Sequence, residues 1–222
     1  MYYKKYFEKT RLNGDDMKGI ICIDGVVGAG KTTLGEILAK ELGIPLFEEP
    51  VLTNPILDKF YHDKKRYSFP LQIFFLNKRF KMIKQAALLD GCVMDRSIYG
   101  DVIFARMLME DGDMTSEEFE LYEELLYNML EHLAPPKLMI YLESSVDDSI
   151  KKIAKRGRDY EQIVPRSYWE SLNRNYESYF KSYNLSNILR INVDNIDIKN
   201  NPIDQKWFID LVKNRLEEID SK

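Results

Sequence analysis

The chain has 222 residues, enough for one substantial α/β domain and short for two. It is 45% hydrophobic and 31% charged, with a formal net charge of −4, so no global positive field draws nucleic acid or an anionic membrane. No run approaches the ~18 apolar residues of a membrane span, and the polar, aromatic start lacks the apolar stretch of a secretory signal. Residues 1–18 read as a flexible N-terminal extension, with Met17 as an alternative start, and 19–222 as a single domain. The two cysteines, Cys22 and Cys92, sit in apolar runs and read as buried free thiols of a reducing cytoplasm.

The elements alternate along the chain. A short β-branched run over 19–24 reads as a buried strand. Gly25, Val26, Val27, Gly28, Ala29, Gly30, Lys31, Thr32 and Thr33 follow it, a full match to G-x-x-x-x-G-K-[ST]. Apolar residues at Leu34, Ile37, Leu38, Ala39 and Leu42 then predict a helix over 31–42. A short strand over 45–48 comes next, then helices over 54–62 and 68–89, the second opened by Ser68 and Pro70. A strand over 92–95 precedes helices over 98–110 and 115–133, and Pro135-Pro136 stops the chain before a strand over 138–142. Helices over 146–156 and 165–183 flank a basic turn, and a strand over 188–193 and a helix over 203–219 complete the pattern. Five short apolar strands separated by helices predict a parallel sheet covered on both faces, with ligands beyond the carboxyl ends of the strands.

The glycine loop implies a nucleoside triphosphate. Its backbone N–H groups can turn inward around phosphate oxygens, Lys31 can reach the β- and γ-phosphates, and Thr32 can ligate Mg²⁺. Asp95 ends a strand beside this loop, where a carboxylate completes the metal shell, although an Asp there could instead cap the next helix. Arg96 could steer a phosphate or hold a carboxylate. Glu48 and Glu49 both end the second strand, and a glutamate there could take the proton of an attacking hydroxyl. Successive strand residues face opposite ways, so chemistry alone leaves the choice between them open. Gln72 and Arg79 share one helix face, with Ile73, Leu76, Phe80 and Ile83 as the core stripe. A glutamine amide can read a base edge, but Gln and Arg on a helix are more often solvated. Arg156-Gly157-Arg158 gives a hinge with two fixed charges, suited to a phosphate-closing lid or to a helix C-terminus.

Taken in order, these motifs resemble those of the deoxynucleoside kinases, from about Ile20 to Phe180. The resemblance implies a P-loop nucleoside kinase fold, an α/β five-stranded parallel sheet with helices on both faces and a short lid. It implies transfer of the ATP γ-phosphate to a deoxynucleoside 5′-hydroxyl with Mg²⁺, in nucleotide salvage in the cytoplasm. Glu49-Pro50-Val51 matches the family's E-P-V, which makes Glu49 the base. Tyr61 and Glu161 match contacts to the sugar 3′-hydroxyl, and Gln72, Arg79 and Asp101 match the groups that read the nucleobase. Asp95-Arg96-Ser97 is similar to the acidic-Arg-Ser motif, carrying the metal-site acid and an arginine near the 5′ position. Arg156 and Arg158 look like the lid arginines. The chain departs from many animal members by Asp95 in place of Glu and by Leu52-Thr53-Asn54-Pro55 where a Trp is common. Tyr160 stands where an acidic residue is common. The pattern is closer to bacterial deoxyadenosine, deoxyguanosine and deoxycytidine kinases, with deoxyadenosine favoured and thymidine disfavoured. The resemblance also implies a homodimer and feedback inhibition by a deoxynucleoside triphosphate. Two other readings share the P-loop: a thymidylate-type monophosphate kinase, which would need extra cations for its anionic acceptor, and a nucleotide-binding regulatory module without turnover.

Overall fold

The computed structural model describes residues 19–51 and 53–221. The extension expected over 1–18 and Leu52 lie outside the described residues. Five strands form one sheet: β1 (Ile20–Gly25), β2 (Leu46–Phe47), β3 (Cys92–Asp95), β4 (Leu138–Glu143) and β5 (Asn187–Asn192). Their order is β2-β3-β1-β4-β5, and every pairing is parallel. β1, β3 and β4 are buried almost throughout, which is why their sequences are near-continuous apolar runs rather than alternating ones.

Helices cover both faces. Ile23 and Val93 share one face of the sheet, and Gly35 of helix α1 (Lys31–Leu42) approaches them there. Tyr141 lies on the opposite face, stacked at 4.1 Å and 12° on Phe180 of a later helix, α8 (Arg166–Lys181). Between these come α2 (Leu57–His62), α3 (Lys64–Ala86), α4 (Asp101–Glu110), α5 (Ser116–Leu130), α6 (Val146–Arg156) and α7 (Asp159–Gln162), and α9 (Pro202–Asp220) closes the chain. The expected fold class therefore stands: α/β, with a five-stranded parallel sheet between helix layers.

Several boundaries shift, each for a local reason. α3 starts at Lys64 because the Asp63 side chain accepts from the Arg66 N–H, so Pro70 lies inside the helix instead of opening it. It ends at Ala86, leaving Leu88 exposed in the following turn. α2 begins later than expected because Asn54 Oδ1 accepts the N–H groups of Ile56 and Leu57. Ser97 caps a separate 3₁₀ turn (Ile98–Gly100) before α4. Thr115 and Glu118 form a reciprocal capping box at α5. The basic turn contains the short helix α7, entered through Gly157 at φ +71°. Cys22 and Cys92 are buried free thiols, and no described helix is long and apolar enough to cross a membrane.

Candidate active site

One cavity of about 1080 Å³ opens at the carboxyl ends of the strands and takes in both the glycine loop and the far side chains. At one end the chain turns from β1 into α1. Gly28 has φ +86°, and a Cβ there would stand 2.6 Å from the Ser149 carbonyl oxygen, so the loop closes against α6 only without a side chain. Val27 to Thr33 line the cavity, whereas Gly25 and Val26 do not. Their carbonyls instead accept the Lys31 ammonium at 2.9 and 2.7 Å. Burial, with Arg96 nearby, pushes the Lys31 pKa down to about 7, against the pull of Asp95, Glu49 and Asp24.

Asp95 does not cap a helix. It is buried at the tip of β3, where Oδ2 accepts from Thr32 Oγ1 at 2.5 Å. Its Oδ1 has no hydrogen-bond partner among the described residues. Burial and the charge of Glu49 hold this carboxyl above its ordinary pKa despite Lys31. A hydroxyl and a hard carboxylate oxygen side by side next to the loop suit Mg²⁺, which takes one or two protein oxygens and fills the rest of its octahedron with phosphates and water. No group of three or more His, Cys, Asp or Glu side chains placed to hold a metal ion together occurs among the described residues, and a Mg²⁺ site of this type does not need one.

Arg96 has φ +73°, a left-handed backbone that costs a non-glycine residue roughly 1–2 kcal/mol. The surroundings hold it there. Its N–H donates to the Ile23 carbonyl at 2.9 Å, Nε to Glu49 Oε2 at 2.8 Å, and Nη1 to the Tyr176 hydroxyl at 2.5 Å. Of the two roles open to Arg96 in the sequence, holding a carboxylate is the one seen. The same contacts distinguish the adjacent glutamates: Glu48 is exposed, while Glu49 turns inward between Arg96 and Arg79, with Arg79 Nη2 at 2.9 Å.

Arg79 also pairs with Asp101 at 2.5 Å, and Arg96 lies 3.7 Å from Asp24. Acid and base thus alternate along a chain of Asp101, Arg79, Glu49, Arg96 and Asp24. Burial pushes Glu49 up, but Arg96, Arg79 and Lys31 outweigh it and hold Glu49 at about 2. Gln72 and Arg79 are buried on the inward face of α3 together with Leu76 and Ile83, while Ile73 and Phe80 are half-buried. The commoner expectation for these two side chains, a solvated face, is therefore corrected. The fold makes this face the wall of a cavity, and the cost of burying Arg79 is offset by its two carboxylates.

Tyr61, on α2, lines the cavity between the acid–base chain and the lid. Glu161 is buried on α7, and its oxygens accept from Arg156 Nη2 at 2.7 Å, with Arg158 Nη1 at 3.4 Å. In this structure the two lid arginines are therefore held by Glu161.

Two contributors escaped the sequence reading. Asp24 accepts from the Gly25 and Ser97 N–H groups, the Ser97 hydroxyl and the Tyr176 hydroxyl, tying the ends of β1 and β3 together. Its signal was a lone carboxylate ending an apolar strand. The loop Asn195–Asn200 after β5 also lines the cavity, together with Lys152 and Lys155. Its position after a parallel strand was legible, but no motif marked it.

The sequence profile of the deoxynucleoside kinase family matches residues 21–217. The chain belongs to that family. It is 40% identical to a deoxyguanosine kinase of Lactobacillus acidophilus over 209 residues, covering 90% of this chain and 92% of the relative. It is also 40% identical to a deoxyadenosine/deoxycytidine kinase of Bacillus subtilis over 187 residues, 82% of this chain and 85% of that one. Among solved structures, a deoxyadenosine kinase from M. mycoides with bound dCTP superposes with a TM-score of 0.78 at 32% identity, covering 90% of this chain and 99% of that chain. The fold is thus that of the P-loop nucleoside kinases, and the chain is an ATP-dependent deoxynucleoside kinase. A monophosphate kinase and a regulatory module without turnover are set aside. Relatives of equal identity carry different bases in their names, so similarity alone does not choose the base.

Proposed function

We propose that this kinase phosphorylates the 5′-hydroxyl of deoxyadenosine, with deoxyguanosine or deoxycytidine as lesser acceptors, and that the residues of the acid–base chain divide the work. The observation that carries this reading is Arg79, buried between Asp101 and Glu49 on the same helix face as Gln72. Asp101 Oδ2 has no hydrogen-bond partner among the described residues and can accept from an exocyclic amino group. The Gln72 amide can pair with an adenine edge through one donor and one acceptor. Thymine lacks that amino group, so a buried acceptor would be left unmet.

The glycine loop cradles the triphosphate, and Lys31 moves from the loop carbonyls toward its phosphates. Thr32 and Asp95 would hold Mg²⁺, which would supply positive charge against the phosphate oxygens. Glu49 accepts a hydrogen bond from the 5′-hydroxyl. The 5′-oxygen forms a bond to the γ-phosphorus while that phosphorus loses its bond to the β,γ-bridging oxygen, and ADP leaves with the electron pair. Glu49 takes the hydroxyl proton. A carboxylate held at about 2 is a weak base, but little charge builds on the attacking oxygen in a loose phosphoryl transition state, so orienting the hydroxyl matters more than pulling its proton early. Arg96 keeps Glu49 in place, and Arg156 and Arg158 offset charge on the transferring group. Tyr61 and Glu161 grip the 3′-hydroxyl, and crowding there disfavours a ribose. The loop Asn195–Asn200 gives the donor base a wall.

Residues 19–222 act as one domain in this reading, and the enzyme works in the cytoplasm as a homodimer. Leu121 on α5, 58% exposed, supports an apolar contact between copies. The continuous cavity could take a deoxynucleoside triphosphate across both halves as a feedback inhibitor; a relative has been seen with dATP bound. The test is an ATP–Mg²⁺ assay with deoxyadenosine, deoxyguanosine, deoxycytidine and thymidine as separate acceptors. Highest kcat/KM with deoxyadenosine is expected, and a preference for thymidine would overturn the base-reading assignment.

A further inference from the structure

Tyr160 is the lid residue that departs from the commoner acidic pattern, and it does not line the cavity. Its ring lies on that of Tyr61, with centroids 5.3 Å apart and planes at 18°. This contact joins two weak elements. α2 spans Leu57–His62 and α7 spans Asp159–Gln162, both too short to be stable helices alone. Tyr61 is braced from its own helix by Phe60, which meets it edge-on at 5.0 Å. Phe60 is buried, so that side of the ring is fixed to the core. Tyr160 supplies a contact from the lid, and the next residue along is Glu161.

We propose that Tyr160 is a positioning residue for the kinase reaction: its ring registers the lid helix against Tyr61, so that the Tyr61 phenol and the Glu161 carboxylate meet the same acceptor hydroxyl. The inference rests on the reading that Tyr61 and Glu161 grip the sugar 3′-hydroxyl. Two groups converging on one oxygen need their separation fixed to a fraction of an ångström, and neither short helix can set it. An offset aromatic stack restricts both tilt and distance while leaving the pair free to part when the lid opens. Arg158 sits beside the Tyr160 phenol and opposes the upward push of burial on its pKa. The same side chain thus touches the sugar-reading end of the lid and one of its arginines.

The experiment compares Tyr160→Leu, Tyr160→Phe and Tyr61→Phe, each with the preferred 2′-deoxynucleoside and its 2′,3′-dideoxy counterpart, at saturating ATP and Mg²⁺. Tyr160→Leu is expected to raise the KM of the deoxynucleoside about three- to tenfold, the range of one aromatic pair. The dideoxy KM and the ATP KM should stay within about twofold of wild type on the same ground, since neither depends on the gripped hydroxyl. Tyr160→Phe keeps the ring and is expected to restore the deoxynucleoside KM. An unchanged KM in Tyr160→Leu, an equal loss with both acceptors, or a Tyr160→Phe enzyme as impaired as the leucine variant would each overturn the proposal. Tyr61→Phe separates the two layers. If it leaves discrimination between deoxy and dideoxy acceptors intact, the sugar reading itself falls. If it lowers that discrimination while Tyr160→Leu does not, only the role of Tyr160 falls.

Discussion

The two ends of the cavity are built from different material. The end proposed for the phosphates is backbone: one unbroken run from Val27 to Thr33, shaped by a glycine at φ +86° and opening a helix. The end proposed for the acceptor is side chains, gathered from the end of β2, from α2, α3, α4 and α7, and from the residue after β3. A backbone site carries its specification in consecutive residues and needs only a strand and a helix around it. A side-chain site depends on long-range packing and on charges that balance one another. The first should tolerate change at distant positions, and the second should respond as a unit.

The largest test of that contrast is Glu49→Gln. The amide keeps the shape but can neither take the 5′-hydroxyl proton nor serve both arginines as an anion. Turnover is expected to fall about 10²- to 10⁴-fold, while the KM of ATP at the other end barely moves. Steady-state kinetics checks both numbers, and a variant with near wild-type kcat would remove Glu49 as the base. Next in size is Arg79→Met. It leaves Glu49 and Asp101 facing each other without the cation between them, and breaking a buried pair of this kind costs about 3–5 kcal/mol. Denaturant unfolding should show that loss, and adding Asp101→Leu should recover part of it. If the single variant were as stable as wild type, the acid–base chain would not act as a unit.

The same contrast explains what the sequence could say. The glycine loop, its flanking strand and helix, and the parallel character of the sheet were legible from local pattern, because parallel strands buried on both faces leave unbroken apolar runs; the strand order was not. Asp95 was legible as a strand-tip acid. Choosing Glu49 over Glu48 needed either family resemblance or the structure, since pleat alternation alone does not say which side faces the cavity. Gln72 and Arg79 looked like solvent-facing residues because periodicity cannot separate a wet surface from a polar cavity wall. Asp24 was invisible as a function: one carboxylate at the end of an apolar strand has no spacing partner in sequence, and its donors Ser97 and Tyr176 come from β3's exit and α8. Pro70 misplaced the start of α3, since a proline reads as a helix opener unless the Asp63 cap is recognised first.

A smaller effect probes the border between the two ends. Thr32 belongs to the loop, yet its hydroxyl bonds Asp95 across from β3. Thr32→Val removes that hydroxyl without changing volume much. The Mg²⁺ concentration for half-maximal activity should rise at least roughly ten- to hundredfold, the range for loss of a group orienting a metal ligand, because the variant loses a metal-binding oxygen as well as the bond that orients Asp95. Chelation by EDTA should stop turnover in both enzymes, with excess Mg²⁺ restoring it. Unchanged Mg²⁺ dependence in the valine variant would mean that Asp95 is oriented without the loop, and the two ends would be more independent than the hydrogen bond suggests.

The smallest expected effect is a proton. Lys31 lies in the backbone end but sits near Glu49 and Asp24 of the other, and burial with Arg96 holds its pKa at about 7 instead of 10.5. A lowered lysine pKa means that the charged form is disfavoured in the nucleotide-free fold, so Lys31 loses its proton as pH rises through 7. Phosphate oxygens favour the charged form, so ATP binding above that pH must draw a proton from solvent. Calorimetry at pH 8 in buffers of different ionisation enthalpy should therefore show about 0.9 proton more taken up per ATP than in Lys31→Met, for a group titrating at about 7. At pH 6 the difference should shrink to about 0.1, because the amine is already charged. Using Lys31→Met as reference cancels the titration of the phosphates themselves. The cost to ATP affinity is modest, about threefold between pH 6.5 and 7.5, and it grows as pH rises. No difference in proton uptake at pH 8 would mean that the carboxylates of the acceptor end keep Lys31 charged. In that case the backbone site would owe its working charge to the side-chain site, and mutations such as Glu49→Gln would weaken ATP binding after all.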